Sequence, residues 1–326
     1  MTELERVEAT WARIIPFLRP IAPFLRDPEV SDIMVNGECG VFIEKDGRIE
    51  QVPGIVIREQ ALQVAARNIA RALGDEVGES RPILDSRLPD GSRVAVVLAP
   101  VAVSGTTLTI RKFQTRRYNA QELMRTGTLT LELLNVLRNA VLARQNILIS
   151  GGTGTGKTTL LNALAAFIPE DQRLVVIEDT SEIELDKPNL VRLEARKEQP
   201  ELPAVTIRDL LKATLRLRPD RILLGEVRGG EAFDLLQALN TGHAGSLSTI
   251  HANSAAESLT RFATCVMMSG IELPHHAIRS NIADALHVLV HLDRRDGKRY
   301  VTEVIRIKDY DSQEDQYELE TIYACK

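Results

Sequence analysis

The apolar positions of this chain follow two different periods, and the changes between them divide it. Residues 3–15 carry Leu4, Val7, Trp11, Ile14 and Ile15 near helical spacing, which predicts an amphipathic helix ended by Pro16, Pro20 and Pro23. From 31 to 51 the period drops to two. DIMVN, GVFIE and RIEQV read as short strands, with Asp46-Gly47 as a hairpin signal. Residues 58–73 return to the helical period and stop at Gly74. PILDSRL and SRVAVVLAP are strands across a second turn, Asp90-Gly91, and TTLTIRKF is another strand. Residues from about 28 to 113 therefore predict a small α+β domain with an antiparallel sheet. QTRRYNAQ, residues 114–121, is polar and without period, and reads as a linker between a domain at 1–113 and another at 122–326.

In the second part, short apolar runs alternate with helical patterns. Helices are expected near 120–126 and 130–144, then the strand NILIS and the helix LLNALAAF. LVVI is a buried strand, TIRDLLKATLRL a helix with a capping-box start, RILLGE a buried strand, and EAFDLLQALN a helix stopping at Thr241-Gly242. GSLSTIHA reads as a strand with His243 before it and His251 at its end; helices near 254–269 and 275–285 follow. LHVLVHL, KRYVTEVIRI and QYELETIY supply further strands. Strands alternating with helices imply α/β architecture and a parallel sheet.

Between NILIS and its helix lies GGTGTGKTT, which fits G-x-x-x-x-G-K-[ST]. In such a loop, glycines let successive N–H groups turn inward onto phosphate oxygens, and the following helix aims its positive end at the same place. Gly151, Gly152, Thr153, Gly154, Thr155, Gly156, Lys157, Thr158 and Thr159 are thus candidate nucleotide ligands. Lys157 adds a cation for the β- and γ-phosphates, and the Thr158 hydroxyl can ligate Mg²⁺. The loop fails G-x-G-x-x-G because Lys157 stands at the last glycine, which argues against a dinucleotide-binding oxidoreductase.

Composition narrows this only a little. The chain has 326 residues, 44% apolar and 26% charged, with a formal net charge of −5. That is an ordinary globular composition with no general pull toward nucleic acid, and no direct nucleic-acid binding is expected. Cys39, Cys265 and Cys325 are far apart, which offers no cysteine zinc site and fits a reducing cytosol. No apolar run approaches the length of a membrane span.

Phosphoryl transfer to water needs a phosphate cradle, a metal, a water-orienting group and positive charge for the transition state. Glu226 ends a strand of the P-loop sheet and is the candidate for polarising water. The residue before it is Gly225, where such strands usually offer a metal-associated aspartate, so Glu178 and Asp179 are candidates for that place beside Thr158. Glu178, Asp179 and Glu182 all follow the LVVI strand. A zinc site at His243 and His251 lacks a third ligand; a γ-phosphate sensor fits one of them better. Arg93, just past the Asp90-Gly91 turn, and Arg111, at the end of TTLTIR, read from the residues alone as surface arginines on a sheet.

GGTGTGKTTLLNAL, VVIEDTSEIEL and RPDRILLGEVRGGEAFDLLQALNTGHAGSLSTIHANS resemble, in order, the Walker A, Asp box, Walker B and His box of the secretion ATPase superfamily. These are the motors of type II and type IV secretion, conjugation and pilus assembly. VSDIMVNG, RLPDGSRV and TIRKF resemble the branch of conjugation traffic ATPases and tight-adherence (CpaF-like) pilus ATPases; the four-cysteine zinc motif typical of type II motors is absent. The resemblance covers about residues 31–320. It implies a RecA-like P-loop ATPase domain preceded by a smaller α+β (PAS-like) domain, in a homo-hexameric ring using ATP and Mg²⁺. It implies a cytoplasmic protein held at the inner membrane by the other components of its machine. It assigns the Asp box to Glu178, Asp179 and Glu182, the Walker B glutamate to Glu226 and the His box to His243 and His251. It also gives Arg93 and Arg111 a role on the nucleotide phosphates. The rival expectation is a RecA-like nucleic-acid motor, which would want a basic channel and stacking aromatics; aromatics are only 4% here.

Overall fold

In a computed structural model, the structure describes residues 12, 14–45, 47–88, 90–113, 118–198, 202–295 and 297–325. Two compact units divide the chain, Met1–Arg116 and Arg117–Lys326. Apart from Ala12, Ile14 and Ile15, the helix expected over 3–15 lies outside the described residues.

In the first unit, two single 3-10 turns (Ile15–Phe17 and Arg19–Ile21) lead into a short helix, α1 (Ala22–Arg26), followed by β1 (Val30–Asn36), β2 (Val41–Lys45) and β3 (Arg48–Val52). After α2 (Glu59–Ala72) come β4 (Ile83–Arg87), β5 (Arg93–Val97) and β6 (Thr107–Arg111). All neighbouring pairs are antiparallel, in the order β3-β2-β1-β6-β5-β4. One stripe of α2 is buried, Leu62, Ala65, Ala66, Ile69 and Ala70, at the spacing of a single helical face. It packs with the inward residues of the strands, Ile33, Val35, Val94, Val96, Leu108 and Ile110, to form this unit's core. Gly74 leaves the helix at φ +72, which a side chain resists.

The polar stretch after β6 ends in a helix cap. Asn119 Oδ1 accepts from the Glu122 amide at 2.9 Å, while Glu122 Oε2 accepts from the Asn119 amide at 3.0 Å, starting α3 (Ala120–Arg125). The second unit continues with α4 (Leu131–Leu142), β7 (Ile147–Gly151), α5 (Lys157–Ala165), β8 (Leu174–Glu178) and β9 (Leu190–Glu194). Next come α6 (Ile207–Thr214), β10 (Arg221–Val227), α7 (Glu231–Asn240), β11 (Leu247–Ile250), α8 (Ala255–Met267) and α9 (His275–Ala285). Three long strands close it: β12 (Val288–Arg295), β13 (Lys298–Asp311) and β14 (Gln316–Ala324).

These strands form one eight-stranded sheet, ordered β14-β13-β12-β7-β11-β10-β8-β9. From β12 to β9 every pair is parallel, whereas β13 and β14 run antiparallel at one edge. The sheet is therefore mixed where the alternating pattern implied a parallel one, because no helix separates its last three strands. Leu148, Val175 and Ile177 face a core with α6, α7, α8 and α9, and Ile147, Ile149, Leu174 and Val176 face one with α3, α4 and α5. Strands covered on both faces must be apolar at consecutive positions, which is why they read as unbroken runs. The pattern missed β9: it is an edge strand with no fully buried residue, so nothing forces a run. Among the described residues, no helix is long and apolar enough to cross a membrane.

Candidate nucleotide site

The loop from β7 to α5 is shaped by three left-handed glycines: Gly151 at φ +153, Gly154 at +72 and Gly156 at +94. Gly151 is also sterically required. A Cβ there would lie 2.5 Å from the Leu292 carbonyl oxygen of β12 and 2.6 Å from Thr155 Oγ1. Gly156 caps α5 with no side-chain hydrogen bond, so the first-turn amides of this helix stay available to an anion. Lys157 is 8% exposed, and its Nζ donates to the carbonyls of Gly151 at 3.1 Å and Gly152 at 2.9 Å. Burial lowers its pKa below the usual lysine value, although Glu226 opposes the shift. Thr158 and Thr159 are half-buried, and Gly152, Thr153 and Gly154 are exposed at the mouth.

Parallel pairing brings other strand ends to the same edge. β11 runs beside β7 with Ile250 opposite Ser150, so His251 emerges beside the loop. Its ring nitrogens stand 3.4 and 3.5 Å from Lys157 Nζ, and Nε2 is 3.1 Å from Glu226 Oε1. Burial and the Lys157 charge lower the His251 pKa against the pull of Glu226, so at neutral pH the ring is uncharged. Its Nε2–H then donates to Glu226, leaving Nδ1 to accept from Lys157. The other oxygen of Glu226 accepts from Arg228 at 2.9 Å, and Arg228 also reaches Asp179 at 2.7 Å. Desolvation pushes the Glu226 pKa up, but Arg228, His251 and Lys157 outweigh it, so the carboxylate is ionised below its ordinary range. The side chains thus form one connected row: Lys157, His251, Glu226, Arg228, Asp179.

Glu178 stands apart electrostatically. It is 4% exposed, and burial raises its pKa to about 7 even though Oε1 accepts from the amides of Glu182 and Ile183, each at 2.9 Å. Its side chain also accounts for Gly225, since a Cβ on Gly225 would lie 3.0 Å from Glu178 Cγ. The space that an aspartate on β10 would fill belongs to a glutamate from β8. Glu182 contributes its backbone amide to Glu178, and its side chain is exposed.

His243 sits in the turn before β11, where its Nδ1 meets the Ala238 carbonyl at 3.1 Å. That is the N-terminal edge of the parallel strands, opposite to the P-loop, so the two histidines stand at opposite ends of β11 and it is His251 that lies beside the loop. Arg93 and Arg111 belong to the first unit, directly opposite each other on β5 and β6. Arg87 is opposite Arg93, and Asp32 opposite Arg111, so these side chains share one face. Arg111 Nε donates to Asp32 Oδ1 at 2.9 Å with 57% of its side chain exposed, and Arg93 is half-buried.

The sequence reading missed Arg228. A signal existed: an arginine two residues after Glu226, just past the end of β10, is within reach of the carboxylate.

A P-loop whose lysine meets a histidine and a glutamate on adjacent strand ends is a nucleotide triphosphatase arrangement. Comparison with known proteins gives the family. The profile of the type II/IV secretion system protein family matches residues 18–322. The chain belongs to this family of secretion ATPases. It is 38% identical to a conjugal transfer protein, TrbB, of Rhizobium radiobacter over 289 residues, covering 88% of this chain and 86% of that one. It is 31% identical to the type IV secretion system protein VirB11 of Bartonella quintana over 331 residues, 90% of this chain and 93% of that one. The solved structure of the Legionella pneumophila ATPase DotB shares the fold with a TM-score of 0.61 at 20% identity, covering 87% of this chain and 79% of that one.

Proposed function

We propose that this family member is the ring-forming ATPase of a conjugative or type IV secretion machine, hydrolysing ATP to ADP and phosphate in a homo-hexamer at the inner membrane. The observation that carries the reading is the convergence of Lys157, His251 and Glu226 within 3.5 Å steps at the end of a phosphate-binding loop. Lys157 exchanges its two glycine carbonyls for the β- and γ-phosphate oxygens. Glu226 orients the attacking water once Arg228 is drawn off it, and His251 senses the γ-phosphate between Lys157 and Glu226. Mg²⁺ fits the donor set. Thr158 offers a hydroxyl at the start of α5, and Glu178 keeps Oε2 without a hydrogen bond from any described residue; Asp179 completes the acidic edge. When bound, the ion would neutralise phosphate charge. The two relatives described above are a conjugal-transfer and a type IV secretion protein, which supports those machines.

Lys157→Ala tests the core of this. Turnover should fall by about 10²–10³-fold, and parental ATPase activity would sink the reading. The arginines of the first unit supply the charge that the loop lacks, in this proposal, so that phosphate loss moves one unit against another. The double variant Arg93→Ala/Arg111→Ala should bind ADP as the parent does and lose about 10³-fold in turnover. Near-parental turnover with the hexamer intact would remove them from the mechanism.

A further inference from the structure

The hairpin of β12 and β13 carries two arginines directly opposite one another, Arg294 and Arg299. β12 pairs with β7 up to Leu292 opposite Gly151, so the hairpin tip continues past the point where β7 gives way to the P-loop. Arg299 Nε donates to the Gly154 carbonyl at 3.1 Å. The Arg299 Cδ is 3.3 Å from where a Cβ of Gly156 would stand, and Arg294 Nη1 is 3.5 Å from the same point on Gly154. Thus both arginines lie against the left-handed glycines of the loop. Arg295, on the same tip, instead pairs with Asp293 at 3.3 Å.

A trans peptide holds its C=O and N–H on opposite sides. A carbonyl of Gly154 fixed outward by Arg299 therefore turns the Thr155 amide inward, as a phosphate ligand must be. A guanidinium is suited to this, since its charge-assisted hydrogen bond is roughly twice as strong as a neutral one. We propose that Arg299 is a positioning residue for nucleotide binding: it pins the 154–155 peptide in the phosphate-binding orientation, and with Arg294 it sets fixed positive charge behind the loop for a polyphosphate anion. The inference rests on the reading of the P-loop as an ATP site. It concerns the ground state, so it acts on affinity rather than on the chemical step.

The test is calorimetric titration of the full-length protein with ADP, beside steady-state kinetics with ATP. Arg299→Ala should weaken ADP binding and raise KM for ATP by about tenfold, the equivalent of one charge-assisted hydrogen bond, with kcat within about twofold of the parent. Arg299→Lys, which keeps the charge and one donor, should recover most of the affinity. Arg295→Ala should bind ADP as the parent does. Circular dichroism and thermal melting establish that each variant is folded; should Arg299→Ala not fold, Arg299→Gln takes its place with the same expected direction. Parental ADP affinity in a folded Arg299 variant, or a loss confined to kcat, overturns the proposal. So does failure of Arg299→Lys to recover any affinity. Lys157→Ala separates the two levels. If it loses nucleotide while Arg299→Ala does not, only the pin fails; if Lys157→Ala binds and turns over as the parent does, the ATP site itself fails.

Discussion

The two edges of the parallel sheet carry the same kinds of residue and use them differently. At the N-terminal edge, Asn146 is 1% exposed and fully engaged: Nδ2 donates to the Ala285 carbonyl at 2.6 Å, and Oδ1 accepts from the amides of Gly245 at 2.7 Å and Ser246 at 3.0 Å. Beside it, the wholly buried Arg221 donates to Gln172 at 2.6 Å and to the carbonyls of Val141 at 2.7 Å and Gly245 at 3.2 Å. Burial pushes its pKa down to about 10. Most partners here are backbone groups, which the fold holds in place. At the C-terminal edge, the row from His251 to Asp179 is held by side chain on side chain. Lys157, next in the row, leans on the carbonyls of Gly151 and Gly152, and phosphate oxygens can replace those. Backbone partners make a joint, while exchangeable side-chain partners make a site that a ligand can rearrange.

The sharpest way to break this contrast is to remove Arg221. Arg221→Ala leaves Gln172 and two buried carbonyls without their donor and should cost about 3 kcal/mol of stability. Turnover per folded molecule should be unchanged. A denaturant midpoint like the parent's, or a selective loss of turnover, would erase the distinction between joint and site. Next in size, Glu226→Gln should bind nucleotide yet hydrolyse it about 10²-fold more slowly, whereas His243→Ala, at the other edge, should stay within about twofold of the parent. If His243→Ala were the more damaging, the edge assignment would be wrong for hydrolysis.

The smallest effect is a pH slope at the N-terminal edge. His287 Nδ1 accepts from the Asn146 amide at 3.1 Å, and burial lowers its pKa below the ordinary histidine value of 6.5. The folded state therefore holds this ring neutral where the unfolded chain would protonate it. Its contribution is complete above pH 6.5 and is lost as the pH falls through that value toward the folded pKa. His287→Asn keeps an acceptor for the amide and removes the titration. The stability difference between pH 7.5 and 5.5 should shrink by on the order of 1 kcal/mol relative to the parent. Equal differences in both proteins, by urea unfolding, would show that His287 carries none of it.

How much of this was legible depended on distance along the chain. The P-loop was fully readable, because a phosphate cradle is made by consecutive backbone amides and has to be written contiguously. The strands of the parallel sheet were readable because burial on both faces demands unbroken apolar runs, and α2 because one buried stripe repeats at helical spacing. β9 was not, since an edge strand has no second face to bury. His243 and His251 look like a pair in sequence, yet β11 runs between them, and at about 3.3 Å per residue its four residues carry the chain from one edge of the sheet to the other. Gly225 looked like a missing ligand until the register of β8 against β10 put Glu178 over it. The sequence by itself determined the succession of strands and helices, the glycine-rich turn between β7 and α5, and the glutamate one residue before the end of β10. Only the tertiary structure decided which histidine stands beside the loop, why residue 225 has no side chain, and that Arg228 meets Glu226 and Arg299 meets the Gly154 carbonyl. Those depend on strand order and register, which arise from contacts between segments tens to more than a hundred residues apart and leave no local period to read.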